Sequence, residues 1–178
     1  MSKIARIFRL KGVKRYLFLF LVNKVFVGTK YFEIKRKLLI SLGYEIGENT
    51  KIVGPIECTG HLKIGKNCWI GKNFEVNGNG HVIIGDNCDI APEVTFQTGG
   101  HVIGTKERRA GEGRSFSQQV GNGVWIGGRS TILGNTKIGN GSVIAGCACV
   151  VKDVPEDTLV GGVPAKIIRR LDDDNSNN

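Results

Sequence analysis

The chain has 178 residues, a length that suits one domain, and it carries 26 glycines, 5 cysteines and a formal net charge of +9 at pH 7. The glycines follow no collagen period, and Cys58, Cys68, Cys147 and Cys149 lie in a repeat without CxxC spacing. This composition argues against a collagen, a disulfide framework and a zinc knuckle, and it favours reduced thiols in a cytoplasmic protein.

The N-terminal segment, residues 1–43, differs from the rest of the chain and is predicted to be helical. Residues 1–40 contain eleven Lys or Arg and one acidic residue, a net charge of +10, whereas the remaining 138 residues sum to −1. The apolar run YLFLFLVNKVFV at 16–27 is shorter than the ~20 residues that cross a bilayer, and no small-residue cleavage site marks a signal peptide. Two roles stay open: a cap on the repeat that follows, or a peripheral anchor through residues 1–40 at the inner face of an anionic membrane.

An apolar residue then returns at intervals of six, with one two-residue slip and one long interruption. Period six fits neither an amphipathic helix nor an alternating strand, and it is typical of a solenoid whose units bury their apolar edge by stacking. The sequence therefore predicts an all-β solenoid. The anchor residues are Ile46, Ile52, Cys58, Ile64, Ile70, Val76, Ile84, Ile90, Phe96, Val102, Val120, Ile126, Ile132, Ile138, Ile144 and Val150.

The residues between the anchors predict a corner in each hexad. One residue after the anchor is usually small, which leaves room for the neighbouring coil. Three residues after it comes Asn or Gly, the types that tolerate a left-handed backbone. These corner positions are Asn49, Asn67, Asn73, Asn79, Asn87, Gly99, Gly123, Asn135 and Gly141.

The pattern lapses at residues 103–119 and resumes in phase at Val120. An interruption that preserves the phase predicts a loop extruded from an intact coil, and long loops on rigid scaffolds often carry function. His101 directly precedes this loop. By itself it is either a residue that caps a turn or a catalytic residue. The last seven residues, 172–178, are polar and acidic, and we expect a disordered tail.

The hexads IGENTK, IGKNCW, IGDNCD, IAPEVT, IGGRST, IGNGSV and IAGCAC resemble the hexapeptide-repeat transferases over residues 44–171. The resemblance implies a left-handed parallel β-helix with three hexads per coil. TGGH at 98–101, VGNGVWIGG at 120–128, IGNGSVIAGCACVVKDVP and GGVPAKIIRR are most similar to the galactoside, maltose and xenobiotic O-acetyltransferase branch. That likeness implies acetyl-CoA as the donor and a homotrimer with active sites between neighbouring subunits.

The same resemblance implies roles for particular residues. His101 matches the general base, which would take the proton of a sugar or alcohol hydroxyl as the oxygen attacks a thioester. For the acceptor, the implied contacts are Trp69 and Asn79, which are otherwise outer-face and corner residues. The implied cofactor contacts, which otherwise are packing residues or solvated charges, are Trp125, Gly127, Gly128, Gly146, Val151, Lys152, Lys166 and Arg169.

The three histidines, His61, His81 and His101, are spaced by 20 residues and raise the alternative of a zinc site like that of the γ-class carbonic anhydrases. Their places relative to the anchors differ: His61 follows an anchor by three residues, His101 follows one by five, and His81 lies in the slip. We therefore expect no metal, and we interpret His61 and His81 as surface or turn residues.

The preferred interpretation is an acetyl-CoA-dependent O-acetyltransferase that acts on a sugar or surface-polysaccharide precursor. The basic, apolar N-terminal segment is similar to that of enzymes that decorate surface glycans. A xenobiotic O-acetyltransferase, a serine acetyltransferase-like enzyme and a non-enzymatic solenoid stay as alternatives, and we expect no nucleic-acid partner.

Overall fold

The computed structural model describes residues 3–171, with side chains from residue 12 onward, so the predicted tail at 172–178 lies outside the described residues. Two helices come first: α1 spans Lys3–Phe20 and continues as a π-helical turn over Leu21–Val25, and α2 spans Phe32–Ile40. No helix in the described range is both long and apolar enough to cross a membrane.

Short strands make up the rest of the chain. In chain order they are β1 Glu45–Ile46, β2 Lys51–Ile52, β3 Ile56–Cys58, β4 His61–Ile64, β5 Trp69–Ile70, β6 Phe74–Asn77, β7 His81–Ile84, β8 Asp89–Ile90, β9 Thr95–Gln97, β10 Gly99–Ile103, β11 Ala110–Ser115, β12 Ser117–Val120, β13 Trp125–Ile126, β14 Thr131–Leu133, β15 Lys137–Ile138, β16 Val143–Ile144, β17 Cys149–Val150, β18 Thr158–Gly161 and β19 Lys166–Arg170.

The strands form three parallel sheets that enclose a triangular prism. Sheet A contains β1, β4, β7, β12 and β15; sheet B contains β2, β5, β8, β13, β16 and β18; sheet C contains β3, β6, β9, β14 and β17. Each coil contributes one strand to each sheet in turn, and β19 pairs antiparallel with β18 at the far end. This architecture confirms the predicted parallel β-helix.

The period of six arises because each anchor stacks on the anchor of the next coil. In sheet B, for example, Ile52, Ile70, Ile90, Ile126 and Ile144 are consecutive register partners, and equivalent columns run through sheets A and C. Every predicted anchor except Val102 is buried. Because each column is continuous, the hydrophobic surface of one coil is covered only by its neighbours.

The corners follow position more than residue type. The left-handed backbone is found at Asn49, Asn67, Asn73, Asn87, Gly123 and Gly141 as predicted. It is absent at Asn79, Gly99 and Asn135. At Asn79 and Asn135 the preceding glycine, Gly78 or Gly134, has the positive φ instead. Other residue types adopt it at the same place in the hexad, namely Glu93, Arg129, Cys147 and Asp157.

The interruption is an antiparallel hairpin of β10 and β11, and it begins earlier than predicted. It covers Gly99–Ser115 instead of 103–119, because Phe116 N–H donates to Thr98 O (2.8 Å) and closes the hairpin at its base. The prediction of Val102 as a core anchor is therefore wrong: its side chain lies on the hairpin and is 36% exposed. The main coil resumes at Ser117.

The N-terminal helices pack on the first coil. The Lys35 ammonium is fully buried and donates to Gly28 O (2.7 Å) and Val53 O (2.9 Å). The Asn23 side chain pairs with both backbone groups of Ile56, at 2.8 and 2.9 Å. These bonds satisfy polar groups of the first coil that have no preceding coil to pair with.

Candidate active site

His101 lies in the middle of β10, opposite Gly113 of β11. Its Nδ1 is 2.9 Å from Gly111 O. A carbonyl oxygen only accepts hydrogen bonds, so Nδ1 carries the proton and the Nε2 of the neutral imidazole is left as an acceptor. The side chain is exposed. The hairpin thus presents an oriented proton acceptor to solvent.

A cleft of about 490 Å³ opens beside this imidazole. Asn79 lines the same cleft, so the structure brings together the predicted base and one of the two predicted acceptor residues. A Cβ added to Gly113 would meet no atom within 4 Å, so this wall of the cleft is open. The full lining is Gly78, Asn79, Gly99, Gly100, His101, Gly113, Arg114 and Ser115.

The two-residue slip in the repeat has a structural role here. The chain takes eight residues from Val76 to Ile84 where other corners take six, and the extra length forms the corner at Gly78 and Asn79 below the hairpin. Arg114 and the Gly111 carbonyl were not predicted as site groups. The slip is the sequence signal that marks this corner, whereas the Gly111 carbonyl belongs to the main chain and leaves no trace in residue type.

The second predicted acceptor residue, Trp69, lies elsewhere. It occupies the outer face of sheet B and its ring meets the edge of Phe32 in α2, with ring centroids 5.7 Å apart. A single chain therefore does not bring Trp69 to the cleft of Asn79 and His101. The reason is position in the coil, since Trp69 follows the first corner of its coil and Asn79 lies in the third.

The predicted cofactor residues are spread over the C-terminal coils, from β13 to β19, which we call the upper coils. Trp125 is 56% exposed on the outer face of sheet B, and the register Trp125–Val143–Leu159–Arg169 places Arg169 on the same row. Lys166 precedes it on the exposed strand β19. Aromatic surface and guanidinium charge along one row suit a nucleotide with phosphates.

Three predicted glycines separate into two kinds. A Cβ on Gly127 would lie 2.5 Å from Gly146 N, so Gly127 is required for coil packing and leaves no groove. A Cβ on Gly146 would meet nothing closer than Gly128 O at 3.4 Å, and one on Gly128 nothing closer than Pro92 O at 3.1 Å. Gly128 and Gly146 therefore form the more open surface, at the corner between sheets B and C.

A salt bridge marks the same corner. Arg129 Nε donates to Glu93 Oε2 at 2.7 Å, and this hydrogen bond, with the charge of Arg129, holds the pKa of Glu93 below its ordinary value. Both side chains belong to residues in the left-handed conformation, next to Gly128. The pair closes one end of the open surface with a fixed charge arrangement.

The remaining predicted residues, Val151 and Lys152, follow β17 and lie exposed at the corner between sheets C and A. That is the edge from which the His101 hairpin leaves, two coils earlier. This vertex of the prism is opposite sheet B, which carries Trp125. One chain therefore presents His101 and Trp125 on opposite sides.

The sequence predicts His61 and His81 to be surface or turn residues, and both are exposed on the outer face of sheet A. They are register partners on sheet A, and their imidazoles stack at 4.4 Å between centroids. The slip lengthens the corner before β7, which restores the alignment. Within residues 3–171 no group of three His, Cys, Asp or Glu side chains is placed to hold a metal.

Comparisons with known proteins agree with this geometry. A family model described as bacterial transferase hexapeptide (six repeats) matches residues 119–152. The galactoside O-acetyltransferase of Escherichia coli K12 is 35% identical over 147 residues, which are 79% of this chain and 70% of that protein.

Solved structures of similar proteins cover nearly the whole chain. The hexapeptide-repeat acetyltransferase VCA0836 of Vibrio cholerae O1 biovar eltor, in complex with acetyl-CoA, has a TM-score of 0.78 and 29% identity, and the match covers 97% of this chain and 93% of that one. A galactoside acetyltransferase in complex with coenzyme A has a TM-score of 0.77 and 27% identity, with coverage of 97% and 86%.

Proposed function

This chain belongs to the hexapeptide-repeat family of acetyl-CoA-dependent acetyltransferases, and we propose that it acetylates a hydroxyl of a sugar or of a surface-polysaccharide precursor. The observation that carries the proposal is the Nδ1–Gly111 O hydrogen bond of His101. It fixes the tautomer in which Nε2 can accept the proton of an attacking hydroxyl.

The transfer needs no covalent acyl-enzyme. His101 Nε2 takes the hydroxyl proton as the acceptor oxygen attacks the thioester carbonyl carbon. The tetrahedral intermediate collapses with cleavage of the carbon–sulfur bond, and the imidazolium returns the proton to the departing sulfur. The acceptor hydroxyl then lies in the cleft shared by His101 and Asn79.

The upper coils fit the donor substrate. The open surface of Gly128 and Gly146 leaves space for the pantetheine arm, and Trp125 supplies exposed aromatic area beside it. Lys166 and Arg169 are exposed cations on β19 that would meet the nucleotide phosphates. Val151 and Lys152 would contact the donor from the other edge of sheet C.

We propose a homotrimer with its sites between subunits. Direct attack requires reacting atoms about 3–3.5 Å apart, yet His101 stands at the vertex opposite the sheet that carries Trp125. Six residues of a coil at ~3.3 Å each separate neighbouring corners by about 20 Å. A second copy that offers its Trp125 side to the hairpin of the first would assemble the site.

We propose a cytoplasmic location with peripheral contact at the membrane through the N-terminal segment. Val13, Tyr16, Leu17 and Phe20 recur at helical spacing on α1, and all four are exposed. The charge of +10 in residues 1–40 complements an anionic lipid surface and would repel the same segment of a second copy. This contact would place the enzyme where surface glycans are assembled.

The test is acetylation of a panel of acceptors by the full-length protein. Free CoA thiol is measured with acetyl-CoA and each of a set of sugars, nucleotide sugars, serine and chloramphenicol, and the product is identified by mass and NMR. We expect an O-acetyl sugar that is absent with His101→Ala. Acetylation of serine or chloramphenicol alone, or transfer to an amine, would refute the proposed acceptor class.

A further inference from the structure

A second cleft, of about 500 Å³, lies on the outer face of sheet A beneath α1. The residues that give it a chemical character are Arg15, Tyr44, His61, Lys63 and His81, and we call it the sheet A cleft. The donor chemistry assigned above leaves it unused. Its cationic and imidazole groups come from three separate elements, α1, β4 and β7.

Arg15 is held at the cleft by uncharged partners. Its Nη2 donates to Tyr44 Oη at 3.0 Å and to the Cys58 carbonyl at 2.7 Å, and its guanidinium lies 5.8 Å from the centre of the Tyr44 ring. These contacts fix the position of the guanidinium and leave its charge in place. An oriented guanidinium is the side chain best suited to carboxylate and phosphate.

The other charged groups of the lining do not oppose an anion. Glu45 is the carboxylate of the lining, and its Oε2 is 3.0 Å from Lys63 Nζ. His61 and His81 are exposed, and their rings are parallel within 10°. Every imidazole carries at least one N–H donor, so two stacked rings can together donate to one anion that lies beside them.

The sheet A cleft adjoins the active-site cleft around a single corner. Asn79 lines one and His81 lines the other, two residues or roughly 7 Å further along the chain. His81 N–H donates to Phe116 O (3.0 Å), and Phe116 is the residue at which the hairpin of His101 rejoins the coil. A ligand that reaches around this corner would contact both clefts.

We propose that the sheet A cleft binds an anionic group of the acceptor, a phosphate or a carboxylate, while the acceptor hydroxyl lies at His101. This inference rests on the proposed sugar O-acetyltransferase function and narrows it to acidic acceptors. Arg15 provides the charged contact, and His61 and His81 provide the neighbouring donors. All three are positioning residues, since none of them reaches the reacting atoms.

The first experiment tests the binding of anions without any transfer. Inorganic phosphate is titrated into the full-length protein, and the imidazole signals of the three histidines are followed by NMR, with assignments from single His→Gln variants. We expect the His61 and His81 signals to shift together and saturably, and the shifts to be lost in Arg15→Gln. Unchanged His61 and His81 signals would overturn the proposal, even if acetyl transfer proceeds.

The second experiment measures selectivity. The ratio of kcat/KM for an anionic acceptor to that for its neutral counterpart is compared for galacturonic acid against galactose and for a sugar phosphate against the free sugar. For one of the two pairs, the wild type should show a kcat/KM roughly tenfold to hundredfold higher for the anionic acceptor than for the neutral one, the range of a charge-assisted hydrogen bond. The two pairs distinguish carboxylate from phosphate. Equal use of neutral and anionic acceptors by an active enzyme would refute the inference.

Two variants separate the anion contact from general effects. The pair His61→Gln with His81→Gln changes exposed side chains and should lower the ratio of kcat/KM for the anionic acceptor to that for the neutral one. Lys137→Gln removes one exposed cation from the same sheet outside the cleft and should leave the preference intact. If no sugar is acetylated, the proposed function is refuted. The phosphate titration then still shows whether the sheet A cleft binds an anion.

Discussion

At His101, a backbone carbonyl orients the imidazole that we propose as the general base. Gly111 O lies across the hairpin at 2.9 Å from Nδ1, so the geometry of the hairpin sets the tautomer. The neighbouring Gly104 and Gly111 permit this approach, because a Cβ on Gly111 would meet Val102 O at 2.9 Å. The orientation of this imidazole depends on the course of one loop, and among the described residues no second titratable side chain hydrogen-bonds to it.

His101→Ala is therefore expected to retain acetyl-CoA binding and to lose acetyl transfer by about 10²- to 10⁴-fold, the usual contribution of a general base. Steady-state release of CoA measures the rate, and calorimetry measures the binding of the donor. The thermal midpoint should not change, because the side chain is exposed. Turnover within about threefold of the wild type would contradict the assignment.

The glycines of the upper coils give a second prediction at this scale. Gly127→Ala is expected to lower the free energy of unfolding by about 1–3 kcal/mol, because its Cβ would overlap Gly146 N on the next coil. Gly146→Ala serves as the matched control and should unfold like the wild type. Urea denaturation measures the free energy of unfolding of both variants. Equal values would contradict the prediction and show that the backbone around Gly127 moves to accommodate the methyl group.

At the scale of the element, α1 has two faces with different roles. Leu19 packs against the core and Val22 is fully buried, whereas Tyr16, Leu17 and Phe20 are exposed. A helix that only capped the first coil would have no need for an apolar outer face. The structure therefore accommodates both roles left open by the sequence, and the outer face is the part that the membrane proposal explains.

Full-length protein is expected to sediment with anionic liposomes at low salt and to be released at high salt. Each Lys or Arg near the lipid contributes about 1 kcal/mol, and the attraction is screened over ~10 Å at 0.1 M. Tyr16→Ser with Phe20→Ser should weaken binding while the fold is kept, since both side chains are exposed. Ile103→Ser, an exposed apolar residue on the hairpin, is the control.

If the fraction of protein that sediments with liposomes does not depend on their anionic lipid content, the membrane contact is contradicted and α1 is only a cap. A second outcome would point to a protein surface: the wild type self-associates through α1, and the Tyr16→Ser with Phe20→Ser variant dissociates without any effect of lipid. Analytical ultracentrifugation of both proteins distinguishes the two.

The helix α2 carries a further prediction through its buried lysine. Burial lowers the pKa of Lys35 to about 8, so between about pH 8 and the ordinary value near 10.4 the unfolded chain binds more protons than the folded protein. The free energy of unfolding should therefore rise with pH through this window relative to Lys35→Met. Urea denaturation at about pH 8 and about pH 10 measures the difference, and parallel pH profiles would contradict it.

At the scale of the whole molecule, the prism separates groups that the proposed reaction requires together. His101 stands at the vertex between sheets C and A, and Trp125 lies on sheet B opposite that vertex. In the proposed mechanism, the donor surface and the base meet when two copies of the chain lie side by side.

Mixing subunits tests the shared site. His101→Ala and Trp125→Ala proteins, each inactive or impaired alone, should recover part of the wild-type activity after dissociation and reassembly, because some interfaces then combine an intact His101 with an intact Trp125. Wild-type protein taken through the same treatment is the reference. Activity in a monomeric species by sedimentation, or no recovery on mixing, would refute the model.

The sequence alone determined the solenoid and all of its anchors except Val102, and it identified His101 as the candidate base. Each hexad stacks on identical positions of its neighbours, so the same local pattern repeats and can be read without long-range information. The similarity of TGGH and VWIGG to known strings supplied the chemistry. The location of Asn79 beside His101 and the helical N-terminal segment were also within reach of the sequence.

The tertiary structure decided what depends on contacts between coils. Val102 keeps the spacing of an anchor and yet lies on the hairpin, because the Phe116–Thr98 hydrogen bond closes the loop below it. His61 and His81 stack because the slip adds length at one corner, and Gly127 differs from Gly146 only in the backbone that it faces. The separation of His101 from Trp125 is a property of the closed prism, since a linear repeat does not show which of its sides meet.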